Sequence, residues 1–312
     1  MAEARLPAAP SWVRLMAPII RRLPAGRYRA INRICRRPPA AFAMRMPAEL
    51  GGQTFRCDLH DSIAREVCFT GRYEPQETAL VRAILRPGMS FVDVGANWGY
   101  FTLLAAHLVG AAGQVVSLEP DPRLFAVLQQ NVAGNGLRQV TVLPVAAAQA
   151  AGPVTLAGYE ETGGNFGLSR MVSRPTGTAR LYQVPARRLD VVLDECGLGT
   201  VHLLKMDIEG AEGFALAGLE AALAGSRVQR LLLELHPAQL AEHGQSAAAV
   251  IAQLRRRGYR GWKIDHSPSF SRRIAYRRRL DCGQILRPLE EVANLDPWPH
   301  LLWTLPGLEA TW

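Results

Sequence analysis

The sequence predicts an α/β domain of the Rossmann-like kind, and three observations carry that prediction. Strand-like apolar runs alternate with helix-like runs from Phe91 to Ile264, which implies parallel strands joined by right-handed crossovers. Two of those strands, in Phe91–Gly99 and Leu203–Glu212, lead directly into polar turns that open helices. The 312-residue chain is 48% hydrophobic and 20% charged, which is ordinary globular composition and enough to bury one sizeable core.

The first element in chain order is a basic arm, residues 1–50. Ten of the 36 basic residues and one of the 27 acidic ones lie within residues 1–45, so the remainder holds 26 of each sign. A balanced body lacks the field of a domain that tracks a phosphate backbone, and nucleic acid is not expected as a partner. Trp12, Leu15, Met16, Ile19, Ile20 and Leu23 recur at helical spacing, with Arg14, Arg21 and Arg22 outside the stripe. Pro18 is expected to kink or shorten that helix. A segment of this kind docks on the protein's own core, stays disordered, or makes a peripheral membrane contact through residues 11–37. The five cysteines (35, 57, 68, 196, 282) form no Cys-x-x-Cys pair, so neither a disulfide framework nor a zinc cluster is indicated and a cytoplasmic setting is expected. No uncharged apolar run is long enough to span a bilayer, and the N-terminus lacks the apolar core of a signal peptide.

A lead-in, residues 51–90, follows. Its pattern is helical from Asp61 to Leu85, broken at Gly71, restarted after Pro75 and ended by Pro87-Gly88. The body, 91–312, reads as strand Phe91–Val94, a helix to Val109, strand Val115–Leu118, a helix from Pro122 to about Asn135, and strand Val140–Leu143. Gly158 to Tyr182 carries four internal glycines and few apolar residues, so 158–182 reads as a long loop of the kind that compact domains reserve for function. Strand Val201–Met206, a helix from Ala211, strand Val228–Leu235, helix Ala247–Arg257 and strand Tyr259–Ile264 come next. Leu301–Leu305 is expected to be a last, antiparallel strand.

Chemistry concentrates at strand ends. Phe91-Val-Asp-Val-Gly-Ala-Asn-Trp-Gly99 offers free backbone amides and a helix N-terminus to a ligand. Its Gly95-x-x-x-Gly99 spacing differs from the dinucleotide fingerprint, which makes a pyrophosphate less suited. Glu119 ends the next strand, where an acceptor-only carboxylate can take both hydroxyls of a ribose. An unphosphorylated nucleoside satisfies both features, and S-adenosylmethionine is one, with an amino-acid end for Asp93 and the turn. In Leu203–Glu212, Asp207 faces the same crevice if the two strands are neighbours; Glu209 can point there too, while Glu212 is read as complementing a helix dipole. In Leu231–Pro237, Glu234 and His236 lie two apart and project to one side of a strand end.

These segments together resemble the FkbM family of S-adenosylmethionine-dependent methyltransferases, whose hallmarks are similar to Asp93-Val-Gly-Ala-Asn97-x-Gly99, Glu119-Pro120, Asn131 and Lys205-x-Asp207-x-Glu209-Gly210-Ala-Glu212. The likeness extends from Gly71-Arg-Tyr-Glu-Pro75 through Leu189-Asp190 to Glu234-Leu-His236. It implies a class I methyltransferase fold with a seven-stranded, mostly parallel sheet and helices on both faces, and methyl transfer to a hydroxyl of a saccharide, natural product or lipid-linked acceptor. By resemblance, Asp93, Gly95, Asn97, Gly99 and Glu119 hold the cofactor, Glu74 lies near its methionyl end, and Ala146 lies near the adenine. Asn165 and Ser169 are expected to contact the acceptor, so that Asn165→Ala and Ser169→Ala impair acceptor use more than cofactor affinity.

An aliphatic hydroxyl must lose its proton as it attacks, so a base is needed within hydrogen-bond reach. Asp207, Glu209 and His236 are the candidates, with His236 ranked as base and Asp207 as positioner, and Lys205 is expected to pair with one of the carboxylates. A divalent metal is the mechanistic rival, because Asp207, Glu209 and Glu234 offer hard oxygen ligands. Nothing in the spacing demands one, and no metal ligand is assigned. Two other functions compete: an RNA methyltransferase gripping its substrate with the arm, and a non-catalytic adapter with a vestigial pocket.

Overall fold

The computed structural model describes residues 6–23, 26–158, 169–172, 180–274, 280–290 and 295–308. The arm folds as helices α1 (Ser11–Arg22) and α2 (Arg27–Ile34), followed by an antiparallel hairpin of β1 (Phe42–Arg45) and β2 (Thr54–Cys57). Pro18 does not shorten α1; it is exposed, so the carbonyl that it deprives of a partner lies on the solvent side. The inward stripe is also rotated from the expected one. Val13, Ala17 and Ile20 are buried, Trp12 and Met16 are half-buried, and Leu15 and Ile19 stand in solvent. The arm therefore docks on the protein's own core. Trp12 stacks on Phe69 with ring centroids 6.3 Å apart, and the Arg21 guanidinium donates to the Cys68 carbonyl at 2.9 Å.

Two lead-in helices, α3 (Ser62–Thr70) and α4 (Pro75–Ile84), flank a turn at Gly71. Asp61 caps α3 by accepting from the Ala64 amide, and Gly71 ends it at φ 79°, the left-handed conformation glycine tolerates best.

The body continues with β3 (Ser90–Val94), α5 (Tyr100–Val109), β4 (Gln114–Leu118), α6 (Pro122–Gly134), β5 (Val140–Leu143), β6 (Ala146–Ala147), β7 (Gly152–Ala157), β8 (Arg170–Met171), β9 (Leu181–Arg187), α7 (Leu189–Glu195), β10 (Leu203–Met206), α8 (Glu212–Ala217), α9 (Glu220–Ala224), β11 (Arg230–Glu234), α10 (Pro237–Glu242), α11 (Ala247–Arg256), β12 (Arg260–Ile264), α12 (Pro268–Ile274), α13 (Cys282–Ile285), β13 (Leu286–Pro288) and β14 (His300–Thr304). The main sheet runs β13-β12-β14-β11-β10-β3-β4-β5. Its five strands from β11 to β5 are parallel, and β14 lies antiparallel between β11 and β12. This is the class I methyltransferase arrangement. It has one strand more than expected, because the three residues of β13 pair antiparallel with β12 at the edge.

Alternate residues of each central strand enter different cores. Phe91, Val115, Leu203 and Leu232 pack with the arm and α5, while Val92, Val116, Leu204, Leu231 and Leu233 pack on the opposite face. Both faces are covered, which is why these strands read as continuous apolar runs. The order reverses between β3 and β10, so the turns after those strands open into a shared crevice at the carboxyl ends.

A second sheet, β6-β9-β7-β8, replaces part of the expected loop. The described residues at both ends of 158–182 join antiparallel strands, with Ala157 opposite both Arg170 and Leu181.

Candidate active site

The turn after β3 is shaped by close approach. Gly95 has φ 83°, and a side-chain carbon there would stand 2.0 Å from the carbonyl oxygen of Asp207 and 2.9 Å from Ile208 Cγ2. Only glycine lets the turns after β3 and β10 meet. Gly95→Ala is expected to cost more than the ~1–2 kcal/mol of a left-handed non-glycine residue, because a backbone atom must also move; a Tm lowered by several degrees, with loss of cofactor binding, is the measurable result. Asn97 follows at φ 51°, a conformation Asn adopts readily, and its side-chain oxygen accepts from the Trp98 amide at 2.7 Å. Asn131 buttresses the turn from behind, donating to the Trp98 carbonyl and accepting from the Arg56 amide of β2, both at 2.8 Å.

Asp93, buried at the end of β3, accepts from Thr102 Oγ1 at 2.7 Å. Glu119 accepts from the Asn97 amide at 2.8 Å and the Asp121 amide at 2.9 Å, one to each oxygen. Each oxygen keeps a second lone pair for a ligand hydroxyl. Burial pushes the Glu119 carboxyl up to about 8, against the pull of those two amides.

A cavity of about 250 Å³ joins this turn to the ends of β10 and β11. Among the predicted residues, Glu74, Asp93, Gly95, Asn97, Glu119, Ala146, Ser169, Asp207 and Glu209 line it. Gly99 does not. It starts α5 at φ 87°, and a side chain there would meet Leu128 Cδ1 at 2.6 Å, so its part is packing rather than ligand contact. Ser169 lines the cavity, and its hydroxyl donates to Asp121 Oδ2 at 2.6 Å, on the Glu119 side. Asn165 lies outside the described residues.

Among the described residues the lining holds seven acidic groups (Glu66, Glu74, Asp93, Glu119, Asp207, Glu209 and Glu234) and one basic group, Lys205. Lys205 is buried, with Nζ 3.5 Å from Asp207 Oδ2 and 4.8 Å from the Phe101 ring centroid. Burial alone would neutralise it, but Asp207, Glu74, Asp93 and Glu234 hold the ammonium more firmly protonated than usual. Burial raises Glu74 and Asp93, opposed by Lys205, and raises Glu66 to about 7. Glu74 leads into α4 at φ 42°, and its Oε2 is buried with no hydrogen-bond partner among the described residues. Such a lining selects a cation, because a positive ligand relieves both the crowding of carboxyls and their desolvation.

His236 closes the far wall, buried and just behind the cavity. Its Nδ1 lies 2.8 Å from Glu212 Oε1, which also accepts from the Gly210 amide at 3.0 Å. Its Nε2 lies 3.4 Å from Glu209, 3.6 Å from Glu234 and 3.9 Å from Asp207. Burial disfavours the imidazolium, yet the bond to Glu212 and the charges of Asp207 and Glu209 raise it to about 9. At neutral pH the ring is therefore a cation, which conflicts with its ranking as base. Glu212 was read as serving a helix dipole; instead it is fully buried and anchors this histidine. Burial raises Glu209 to about 7 and Glu234 to about 8.

Two sets of groups here, Asp207 with Glu209 and His236, and Glu74 with Asp207 and Glu234, have potential ligand atoms within 4.8 Å of one another. A third set was not anticipated: Glu77 Oε1 lies 2.7 Å from His266 Nε2 and 2.9 Å from His300 Nδ1, and His300 Nε2 lies 3.5 Å from Glu234.

The chain is similar to known proteins. The profile of the methyltransferase FkbM domain matches residues 93–260, more than half of the chain. The 31-O-demethyl-FK506 methyltransferase FkbM of Streptomyces tacrolimicus is 31% identical over 199 residues, covering 56% of this chain and 74% of that one. The 2-O-methyltransferase NoeI of Sinorhizobium fredii is 28% identical over 159 residues, covering 47% and 64%. Among solved structures, methyltransferase FkbM from Methylobacillus flagellatus aligns with a TM-score of 0.42 at 18% identity, over 77% of this chain and 52% of that one.

Proposed function

The chain belongs to the FkbM family of S-adenosylmethionine-dependent methyltransferases, and from that premise we propose that it methylates a hydroxyl oxygen on a saccharide or natural-product acceptor. The observation that supports this reading most is the pairing of two half-sites in one cavity. Glu119 and the Gly95–Asn97 turn face a nucleoside on one side, and a histidine-centred set of carboxylates stands at the ends of β10 and β11 on the other. The FK506 and 2-O-methylating relatives are named for oxygen acceptors. The cofactor, held by Asp93, Gly95, Asn97, Glu119 and Ala146, supplies an electrophilic methyl group.

What remains for the protein is to orient a hydroxyl and take its proton. Glu209, Asp207 and Glu234 reach the cavity, whereas His236 sits behind them, already protonated. We assign the base to Glu209 and make His236, anchored by Glu212, the cation that positions it. Glu209 lines the cavity at the end of β10, and the positive charge of Arg170 in β8 acts on its carboxylate. Its carboxyl titrates near 7, where a base for an alcohol is most effective.

The pH dependence follows with its sign. Below about 7 Glu209 holds a proton and cannot accept another, so kcat/KM, which reports the free enzyme, falls on the acid side. Above about 9 His236 loses its charge and its hold on Glu209 weakens, so kcat/KM falls again. Because these groups interact, the two limbs belong to the cluster as a whole. A bell-shaped kcat/KM profile with limbs near 7 and 9 is expected, and His236→Asn should abolish the alkaline limb. The reaction itself is tested by incubating the enzyme with isotopically labelled S-adenosylmethionine and glycan or lipid extracts. Mass spectrometry should place the new methyl on oxygen; label on nitrogen or carbon would overturn the proposal.

A further inference from the structure

We infer that the outer face of α1 and α2 is a docking surface for an anionic lipid bilayer. The fold uses only the inner face of these helices: Val13, Ala17, Ile20 and Ile31 enter the core, and Arg21 and Arg27 turn inward to backbone carbonyls. What remains outside has a distinct chemistry. Six large hydrophobic side chains are exposed among the described residues, and three of them, Leu15 at 68%, Ile19 at 53% and Tyr28 at 53%, belong to this face. Leu15 and Ile19 are four apart and so share one side of α1. Around them Arg14, Arg22, Arg29, Arg33, Arg36 and Arg37 are all exposed.

The sign of the partner follows from charge. Residues 6–45 contain no Asp or Glu, and among the described residues no carboxylate pairs with Arg22, Arg29, Arg33, Arg36 or Arg37. The body is neutral, so the excess positive charge is confined to the arm. A nucleic acid would meet the arginines but has no use for two exposed aliphatic side chains. A bilayer uses both, taking Leu15 and Ile19 into the acyl boundary while the guanidinium groups bind lipid phosphates. No described helix is long and apolar enough to cross a membrane, so the contact is a surface one. It also borders the reaction cavity: Tyr28 Oη lies 3.1 Å from Glu66 Oε1, and Glu66 lines that cavity.

The experiment uses the full chain and vesicles of phosphatidylcholine with or without phosphatidylglycerol, followed by sedimentation. Binding to the anionic vesicles should exceed binding to neutral ones by at least about ten-fold and fall as salt rises. Leu15→Glu with Ile19→Glu, and separately Arg22→Glu with Arg29→Glu and Arg33→Glu, should each remove most of it. All five positions are exposed, so Tm and S-adenosylmethionine affinity should not change. Equal sedimentation with both vesicle types, or binding that survives the Leu15 and Ile19 changes, overturns the inference. So does retention of single-stranded RNA without retention of vesicles, which would give the face to nucleic acid.

Discussion

Replacing Glu209 with Gln is expected to lower kcat by about 10²–10⁴-fold, the usual contribution of a positioned general base, while leaving S-adenosylmethionine affinity nearly unchanged. Glutamine keeps the shape of the side chain but cannot accept the hydroxyl proton. Glu209 stands 3.4 Å from His236 Nε2, and Glu119 belongs to the opposite half-site, so the contacts of Glu119 and its turn are not touched by the substitution. The acid limb near 7 should vanish together with the rate. Two controls separate this role from neighbouring ones. Glu212→Gln keeps the base but weakens the anchor of His236, so the alkaline limb should move to lower pH with a smaller loss of kcat. Glu234→Gln removes a carboxyl that also faces His300, and it should be the milder change if Glu209 is the base. A Glu234 variant that loses as much kcat as the Glu209 variant, together with a wild-type acid limb near 8 that this variant abolishes, would move the assignment to Glu234.

The parts of this molecule that were legible in its sequence are those where a single local rule decides. The strands β3, β4, β10 and β11 are buried on both faces and therefore mainly apolar, and polar residues gather at their carboxyl ends and in the turns that follow, where a crevice opens. The small sheet was not legible for an equally local reason. Pro153 and Pro185 stand opposite each other in β7 and β9, and proline argues against a strand wherever it appears in a sequence. Nor could spacing find the inner face of α1, since a hydrophobic stripe gives the width of a face and not which edge packs: Leu15 fits the helical period and yet is exposed, while Val13 and Ala17 are buried. Glu212 shows a limit of another sort. Its place in the first turn of α8 invites a dipole reading, and only the arrival of His236, 24 residues later in the chain, gives it a second partner. The protonation of His236 was out of reach for the same reason, because it depends on carboxylates gathered from the ends of two strands and the start of a helix.

Loss of the Glu119 carboxylate should be felt in binding where Glu209→Gln is felt in rate. Glu119→Ala removes the proposed acceptor of two ribose hydroxyls and leaves the amides of Asn97 and Asp121 without their partner. Hydrogen bonds to a charged group are worth about 1.5–3 kcal/mol each, so the dissociation constant for S-adenosylmethionine should rise by at least ~10²-fold. Proton linkage distinguishes a direct contact from a collapsed turn. In the free protein Glu119 titrates near 8, raised by burial, so at pH 7 it is mostly protonated. A ligand whose hydroxyls donate to it favours the ionised form, so binding lowers that pKa and releases protons, and affinity rises with pH up to about 8. Calorimetry at pH 7 in buffers of different ionisation enthalpy should therefore give buffer-dependent heats. Glu119→Gln, which cannot titrate, should release fewer protons by close to the fraction that Glu119 itself carries, even though Asp93 and the other lining carboxyls still respond to the cation. Heats independent of buffer in the wild-type protein would mean that Glu119 is already ionised before the ligand arrives, and the ribose contact would then have to rest on affinity alone.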